Sequence, residues 1–419
     1  MPFTSLGLAP ALAQSAAELG FAAPTPIQSE AIPIVLNGHD LLATAQTGSG
    51  KTAAFALPLL QRWLANTPIE GLRPLQTLVL VPTRELAAQV GEVFRSLAQP
   101  LAQRPKIVVA FGGVSINPQM MSMRGGADVV VATPGRLLDL LEKNALKLDT
   151  VKHLVLDEAD RLLDLGFADE LGRVLAQLPV QRQTLFFSAT FAPAVEALAA
   201  QMLQAPQRVA VEAAPGDMAV IEQRVFEVDD KRRAQLLRQL FKDNGWERVL
   251  VFVASQYAAE HLAAKLHKAD VFATSFHGGL SQGARKQTLQ EFKEKRWDVL
   301  VTTDLAARGL HIDQLPVVVN FDLPRSATDY THRIGRTGRA GESGLAISFV
   351  TAASEAHWRV IEKRQGLSLP REQLAGFEPT DEMPASLQDP KGTGGVKGKR
   401  PSKKDKLRAA AVAAQNVND

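Results

Sequence analysis

The first residues with recognisable chemistry form a short loop, Ala45–Thr52, between a predicted strand and a predicted helix. Small residues let backbone N–H groups approach phosphate oxygens, and the N-terminus of the helix adds its dipole. Lys51 supplies a positive charge for the β- and γ-phosphates, and Thr52 supplies a hydroxyl for Mg²⁺. The pattern predicts a phosphate-binding loop, and a plain glycine-rich turn is the alternative. Its candidate nucleotide ligands are Ala45, Gln46, Thr47, Gly48, Ser49, Gly50, Lys51 and Thr52.

A group of carboxylates follows the apolar run His153–Leu156 and reads Asp-Glu-Ala-Asp at 157–160. A phosphate-binding loop needs such a group at the end of a neighbouring buried strand, where it holds the magnesium ion. Asp157 is therefore the candidate metal ligand together with Thr52, and Glu158 is the candidate general base for an attacking water. The alternative is an acidic helix N-terminus, where carboxylates favour the dipole.

These residues require strands to position them, and two long segments alternate short β-branched runs with helical periodicity. That alternation is typical of a parallel sheet covered by helices on both faces. Strands are predicted at Asp40–Thr44, Thr77–Val81, Ile107–Phe111, Val129–Ala132, His153–Leu156 and Thr184–Phe187 in the first segment. In the second they are predicted at Arg224–Val228, Arg248–Val253, Val271–Phe276, Val299–Thr302, Val317–Asn320 and Gly344–Phe349. The sequence predicts an α/β fold with two tandem domains.

The domain limits follow from changes in composition. Residues 212–220 contain Pro, Gly and Asp without periodicity, which predicts a linker between a first domain at 1–211 and a second at 221–365. Residues 366–419 form an extension. Beyond Pro390 the chain is rich in Lys and Gly and has no aromatic residue, so we expect a disordered tail.

The composition restricts the class of protein. The 419 residues are 46% hydrophobic and 22% charged, as in a soluble globular chain of two or three domains. There are no cysteines, which excludes disulfides, thiolate metal sites and cysteine nucleophiles. No apolar run is long enough to span a membrane, and no basic residue precedes Lys51, as a signal or transit peptide would require. We expect a cytoplasmic protein without membrane partners.

The net charge of +3 is unevenly distributed. The last 29 residues contain eight Lys or Arg against two Asp, a net +6, so the preceding 390 residues carry −3. A basic tail of this kind predicts contact with RNA, and solubility or attachment to a ribosome or another anionic surface are the alternatives.

Several further motifs follow one another in order along the chain. They are Gly20–Gln28, Pro82-Thr83-Arg84-Glu85-Leu86, Gly112-Gly113, Thr133-Pro134-Gly135-Arg136, Ser188-Ala189-Thr190 and His332–Arg339. Together with the phosphate-binding loop and Asp-Glu-Ala-Asp, they cover residues 1–365 and resemble the DEAD-box family of ATP-dependent RNA helicases. The overall pattern is most similar to the bacterial RhlE-like branch. The resemblance implies two tandem RecA-like domains, with residues 1–38 as the adenine-recognising Q-motif region.

The resemblance also implies roles for individual residues in the use of ATP. Gln28 would recognise adenine, since its amide offers a donor beside an acceptor, and Phe21 would pack on the ring. Phe3 matches an isolated upstream aromatic of the family. A place in the core of an N-terminal helical cap is the alternative for both Phe3 and Phe21. Arg336 and Arg339 would act as catalytic arginine fingers on the phosphates. Contacts that couple the two domains would come from Asp160, Ser188, Thr190, His332 and Arg333.

One departure from the family pattern falls at His311, where the family usually has an aspartate that contacts the ribose. His311 can donate a hydrogen bond there but adds no negative charge. We keep it among the candidate nucleotide ligands.

A helicase of this kind grips the sugar-phosphate backbone, because backbone contacts carry no sequence information. The matching positions in the first domain are Thr83, Arg84, Gly113, Thr133 and Arg136. Those in the second domain are His277, Gly278, Arg285, Thr303 and Asp304. Helix caps and turns are the structural alternatives for the threonines and glycines.

The sequence thus predicts an ATP-dependent RNA helicase that uses ATP and Mg²⁺ and locally separates short RNA duplexes or remodels RNA–protein complexes. Ribosomal or RNA-decay assemblies are candidate partners. An ATP-gated RNA clamp or assembly scaffold is one alternative, and a DNA translocase is another.

Overall fold

The structure, a computed structural model, describes residues 2–45, 48–65, 73–190, 192–211, 221–307, 315–338 and 343–381. These residues form two compact units, the first up to Val211 and the second from Ile221 onward. The predicted linker 212–220 and the predicted basic tail lie outside the described residues. Across the described ranges, no helix has both the length and the apolar character that crossing a membrane requires.

The first unit begins with a 3₁₀ helix at Phe3–Leu6. Its strands are β1 (Leu41–Thr44), β2 (Thr77–Leu80), β3 (Ile107–Ala110), β4 (Val129–Ala132), β5 (His153–Leu156), β6 (Gln183–Ser188) and β7 (Gln207–Ala210). Its helices are α1 (Pro10–Glu18), α2 (Pro26–Leu36), α3 (Lys51–Ala65), α4 (Arg84–Ala98), α5 (Asn117–Met123), α6 (Pro134–Glu142), α7 (Ala159–Asp164), α8 (Ala168–Leu175) and α9 (Pro193–Met202).

The second unit has a 3₁₀ turn at Asp230–Arg232. Its strands are β8 (Ile221–Glu227), β9 (Val249–Phe252), β10 (Ala273–Phe276), β11 (Val299–Thr302), β12 (Val317–Asn320), β13 (Gly344–Val350) and β14 (Arg371–Glu372). Its helices are α10 (Arg233–Asn244), α11 (Gln256–His267), α12 (Gln282–Lys293), α13 (Asp304–Ala307), α14 (Ala327–Ile334) and α15 (Glu355–Gln365).

The two sheets have the same topology. The strand order is β3-β4-β2-β5-β6-β1-β7 in the first unit and β10-β11-β9-β12-β13-β8-β14 in the second. Counted from the first strand of each unit, these two orders are identical, and all the strand pairs are parallel. The predicted α/β class with two tandem domains is confirmed, and the second unit repeats the first.

Both faces of each sheet are covered, which explains the nearly uninterrupted apolar strands. Leu41 and Ala43 of β1 join one core cluster, whereas Leu42 between them joins the cluster on the opposite face. Successive strand residues point to opposite faces, so a strand buried on both sides needs an apolar residue at every position.

All twelve predicted strands are present with shifts of up to three residues at their ends, and two further strands were not predicted. These are β7 and β14, which occupy the same edge position in their sheets. The strand β14 belongs to residues 366–381, which were predicted only as an extension. That segment packs on the second unit, with Leu374 and Phe377 against its core.

Candidate nucleotide-binding and RNA-binding site

The phosphate-binding loop connects β1 to α3, as predicted. Lys51 is the first residue of α3 and is 8% exposed, and its Nζ donates a hydrogen bond to the Ala45 carbonyl oxygen at 2.5 Å. Burial lowers the pKa of Lys51, while the charges of Asp157, Glu158 and Asp160 act in the opposite direction. The ammonium group at the start of this helix is suited to an anionic phosphate. Gln46 and Thr47 lie outside the described residues.

The start of α2 is attached to this loop through Gln28. The Gln28 Oε1 accepts from the Thr25 N–H at 3.0 Å, and its Nε2 donates to the Gly50 carbonyl at 3.2 Å. The Thr25 hydroxyl donates to the Ser49 carbonyl at 2.8 Å. Gly50 has a φ of +92°, and a Cβ there would lie 2.4 Å from the Gln28 Nε2. Gln28 therefore joins the Q-motif region to the loop, a role that the adenine interpretation did not include.

The two aromatic residues of this region belong to the core. Phe3 is buried within the cluster that covers one face of the first sheet, and Phe21 packs at its margin, half-buried. The structural alternative for Phe3, a place in the N-terminal cap, is therefore the one observed.

The carboxylates follow β5 directly. Asp157 is 3% exposed, and burial, aided by the charge of Glu158, raises its pKa to about 7. One of its oxygens, Oδ1, accepts from the Glu158 N–H at 2.9 Å. The raised pKa means that the surroundings of Asp157 stabilise its negative charge poorly. A bound divalent cation would stabilise that charge. Since Mg²⁺ is usually held by one or two carboxylates plus substrate phosphates, Asp157 and Thr52 fit the predicted ion.

Glu158 has an unusual backbone conformation. Its φ and ψ are both 51°, the left-handed region, where it precedes the first turn of α7. The side chain is nearly buried, and its Oε2 lies 3.4 Å from Nη1 of Arg161. A left-handed non-glycine residue costs about 1–2 kcal/mol and is often found at functional sites.

The predicted coupling residues of the first unit are in contact. The Thr190 Oγ1 donates to the Asp160 Oδ2 at 3.3 Å, and the Ser188 hydroxyl donates to the Thr190 carbonyl at 2.8 Å. Ser188 ends β6, the strand beside β5. Asp160 is thus joined to Thr190 directly and to Ser188 through Thr190.

The RNA candidates of the first unit follow β2, β3 and β4. The Thr83 Oγ1 accepts from the Leu86 N–H at 3.3 Å and caps α4, whereas the Thr133 side chain makes no capping hydrogen bond with α6. Arg136 is 6% exposed and donates to the Val114 carbonyl at 2.8 Å. The strand order places these three strands together in one half of the sheet, and β5, β6 and β1, with the nucleotide candidates, in the other half.

The RNA candidates of the second unit follow β10 and β11, the equivalent strands of the repeated topology. His277 is 3% exposed, and its Nε2 lies 3.1 Å from Oε1 of Glu260. The Arg285 Nη1 donates to the His277 carbonyl at 3.0 Å, and its guanidinium lies 4.4 Å from the centre of the Phe276 ring. Gly278 follows in the exposed loop.

Arg333 is held by several acceptors of the second unit. Its guanidinium donates to both Asp304 oxygens at 2.6 and 2.7 Å, to the Asn320 Oδ1 at 3.1 Å and to the Asp322 carbonyl at 2.6 Å. The residue is 3% exposed, so this side chain is engaged by groups of its own unit. It positions the RNA candidate Asp304, which follows Thr303 after β11.

The other candidates of the second unit lie around the end of α14. His332 is half-buried in α14, and Arg336 is 4% exposed just beyond it. His311 and Arg339 lie outside the described residues.

Comparisons with known proteins identify the family. Residues 25–198 match the family model of DEAD/DEAH box helicases, and residues 232–341 match the helicase conserved C-terminal domain. The ATP-dependent rRNA helicase rrp3 of Emericella nidulans is 40% identical over 373 residues, which cover 89% of this chain and 79% of that protein. The RNA helicase CrhR of Synechocystis is 42% identical over 363 residues, covering 86% and 72% of the two chains.

Solved structures agree with the sequence comparisons. The structure of S. cerevisiae Dbp5 bound to RNA and ADP BeF3 has a TM-score of 0.77 at 32% identity, and covers 88% of this chain and 95% of that one. The helicase Mss116 bound to ssRNA and UDP-BeF also has a TM-score of 0.77, at 27% identity, and covers 90% and 79%. The two units are therefore tandem RecA-like domains, and the chain belongs to the DEAD-box family of ATP-dependent RNA helicases.

Proposed function

We propose that this chain couples ATP hydrolysis to the local separation of short RNA duplexes, or to the remodelling of RNA–protein complexes. One observation carries the proposal. Along a single edge of the first sheet, the residues suited to phosphate follow β5, β6 and β1, and those suited to an RNA backbone follow the adjacent strands β3, β4 and β2. RNA and nucleotide would therefore bind side by side on one rigid sheet.

Each residue of the nucleotide half has a distinct part in hydrolysis. Lys51 binds the β- and γ-phosphates through its ammonium group, and Gln28 holds the loop through Gly50. Mg²⁺, held by Asp157 and Thr52, would neutralise developing phosphate charge. Glu158 orients the attacking water and accepts its proton, a contribution worth about 10²–10⁴ in rate. From the second unit, Arg336 and Arg339 would add positive charge at the phosphates, and such arginines contribute about 10³–10⁵ in rate in other phosphoryl-transfer enzymes.

Two substitutions test this assignment. Lys51→Ala should abolish ATP binding, and Glu158→Gln should reduce RNA-stimulated ATP hydrolysis by about 100-fold or more while ATP still binds. Glu196→Gln is the matched control, because Glu196 is an exposed carboxylate on α9 of the same unit. If Glu158→Gln or Lys51→Ala hydrolyses ATP like the unaltered protein while Glu196→Gln is also unaffected, the mechanism is wrong.

The RNA clamp is the second candidate function. It uses the same arrangement, because the nucleotide and RNA candidates along one sheet edge would hold both ligands whether or not strands separate. Measuring strand separation of a short duplex against the ATPase rate of the same sample distinguishes the two functions. For a clamp, the rate of strand separation would stay low even when the rate of ATP hydrolysis is high. A DNA translocase would be stimulated equally by single-stranded DNA, which lacks the 2′-hydroxyl.

Finer assignments are also proposals. Within the family we favour the bacterial RhlE-like branch, on the combined pattern of the motifs, and a cytoplasmic location. Ribosomal or RNA-decay assemblies are the candidate partners, and the name of the Emericella nidulans relative as an rRNA helicase supports the former. Crosslinking in cells, with identification of the bound transcripts, tests which RNA is the substrate.

A further inference from the structure

The second unit carries an exposed aromatic pair that has no part in the proposed function. Tyr257 and His261, one turn apart on α11, have parallel rings with centroids 5.8 Å apart and an interplanar angle of 11°. Tyr257 is 76% exposed. His261 stacks on one side of the Tyr257 ring, so a flat ligand could continue the stack on the other side.

The pair lies beside residues assigned to RNA. The Gln256 Oε1 is 2.8 Å from the place where a Cβ on Gly279 would lie, and the Glu260 Oε1 is 3.1 Å from the His277 Nε2. The first two turns of α11 therefore contact the loop that follows β10. Tyr257 and His261 each follow one of these contact residues directly. They therefore line up along the helix beside the row formed by Gln256 and Glu260.

The direction of the side chains also places the pair near the RNA candidates. Side chains on a helix tilt towards its N-terminus, so the Tyr257 ring covers the surface over the first turn. That turn follows β9 at the carboxyl edge of the sheet, the edge at which β10 and β11 deliver His277 and Thr303.

The repeated topology gives an independent argument. In the first unit, α4 follows β2, and its start at Thr83 and Arg84 belongs to the RNA candidates. In the second unit, α11 follows β9, which occupies the position of β2 in the strand order. Both helices begin with a side-chain cap, since Thr83 accepts from the Leu86 N–H and Ser255 accepts from the Ala258 N–H. Tyr257 therefore occupies the second helical position, where the first unit has Glu85.

We propose that Tyr257 and His261 form a stacking platform for one nucleobase of single-stranded RNA, next to the backbone contacts of the second unit. The inference rests on the proposed RNA-binding function and adds a base contact to it. Aromatic faces bind bases of any sequence, and the strength of stacking gives a modest preference among bases. The platform should therefore favour adenine over uracil without selecting a sequence.

The experiment measures binding of fluorescein-labelled decamers to the full chain by anisotropy, with a non-hydrolysable ATP analogue and Mg²⁺. The probes are oligo-adenylate, oligo-uridylate and an abasic ribose-phosphate decamer. Tyr257→Ala should weaken oligo-adenylate binding by about 5- to 150-fold, the range for one stacked base. It should reduce the preference for adenylate over uridylate and leave the abasic affinity unchanged. Tyr257→Phe should keep the affinity, and His261→Ala should show a smaller loss.

Phe272→Ala is the matched control, because Phe272 is an aromatic residue that is 60% exposed. It precedes β10, so it lies at the amino ends of the strands and not at their carboxyl ends. This variant should bind all three probes like the unaltered protein. Unchanged oligo-adenylate binding in Tyr257→Ala overturns the inference, and so does an equal loss for the abasic decamer. Failure of the proposed function is a separate result, because the unaltered protein would then show no RNA-stimulated ATPase activity.

Discussion

The glycine at position 113 makes room for an arginine of the RNA half of the site. It has a φ of +74°, and a Cβ there would lie 2.1 Å from Nη2 of Arg84. The Arg84 guanidinium therefore lies directly against the backbone of Gly113, although the two are 29 positions apart in the sequence. Gly113 therefore leaves the space that the Arg84 guanidinium, a candidate RNA contact, occupies.

Gly113→Ala should displace the Arg84 guanidinium and strain the backbone by about 1 kcal/mol. Loss of a charged contact to phosphate costs about 1.5–3 kcal/mol, so RNA affinity should fall about tenfold or more. Gly112→Ala is the control, since no atom lies within 4 Å of its added Cβ. RNA titrations of the ATPase rate compare the two variants. Equal affinities would show that Arg84 does not depend on the glycine.

His153 gives the first unit a pH dependence. Burial, aided by the charge of Arg62, lowers its pKa from 6.5 to about 4, while Gln183 acts in the opposite direction. The unfolded chain therefore binds the proton more readily, so stability is complete above about pH 6.5 and falls as the pH drops towards 4. The expected loss from this residue at pH 5 is about 2 kcal/mol.

Thermal unfolding of the unaltered protein and of His153→Leu at pH 8 and pH 5 measures this contribution. The other titrating groups are common to both proteins, so the difference in their pH dependence isolates His153. The unaltered protein should lose about 4–8 °C more in unfolding temperature between the two pH values. The same pH dependence in both proteins would contradict the assignment.

At the scale of elements, the sequence predicted the buried strands and missed the edge strands, for one physical reason. Buried parallel strands are apolar on both faces and are recognised by composition. The strand β7 has only Val209 buried, and β14 is the dipeptide Arg371–Glu372. The contacts of Arg333 with Asp304 and of Gln28 with Gly50 were also missed, because each joins residues distant in sequence. Motif spacing selected the candidate site residues but did not show which of them contact one another.

The segment 366–381 is attached to the second unit by charged contacts. Arg371 donates to both Glu362 oxygens at 2.8 Å and to Oε1 of Glu355 at 3.1 Å, and Arg224 binds Glu372. Asp229 accepts hydrogen bonds from the backbone of residues 380 and 381 at 2.9 Å. The segment therefore completes the second RecA-like domain instead of extending from it.

A chain ending at residue 366 should accordingly unfold earlier than one ending at 381. Partly buried charge-assisted hydrogen bonds contribute about 1.5–3 kcal/mol each, and each kcal/mol corresponds to about 2–4 °C at this domain size. We expect the shorter chain to lose about 5 °C or more in the unfolding of its second unit, measured by scanning calorimetry. The chain ending at 381 should match the full protein. Equal transitions for the two truncated chains would show that the segment adds no stability.

At the scale of the molecule, the two units share one topology but carry different sets of candidate functional residues. Both sheets deliver RNA candidates from the same half of the strand order, whereas the phosphate-binding loop and the carboxylates belong to the first sheet alone. The second sheet contributes Arg336 and, with Tyr257, an aromatic surface. Repetition of the fold thus places RNA candidates at the ends of the strands in both sheets, and only the first sheet also carries the phosphate-binding loop.

The charge distribution of the whole chain predicts a further RNA contact that does not need ATP. The first 390 residues carry −3 and residues 391–419 carry +6, so the positive excess lies in the tail. Each phosphate that the tail neutralises adds about −0.7 to the slope of log affinity against log salt on single strands. Deleting residues 391–419 should therefore weaken RNA binding at low salt and flatten this slope, because fewer counterions are released.

The ATPase rate at saturating RNA should stay the same after this deletion, because the residues assigned to hydrolysis precede the tail. Replacing the eight Lys and Arg of the tail by Gln is the matched control, since it keeps the length and removes the charge. Both variants should give the same reduced slope. An unchanged slope in both would mean that the tail contributes solubility or a protein contact, and that RNA is held by the two sheet edges alone.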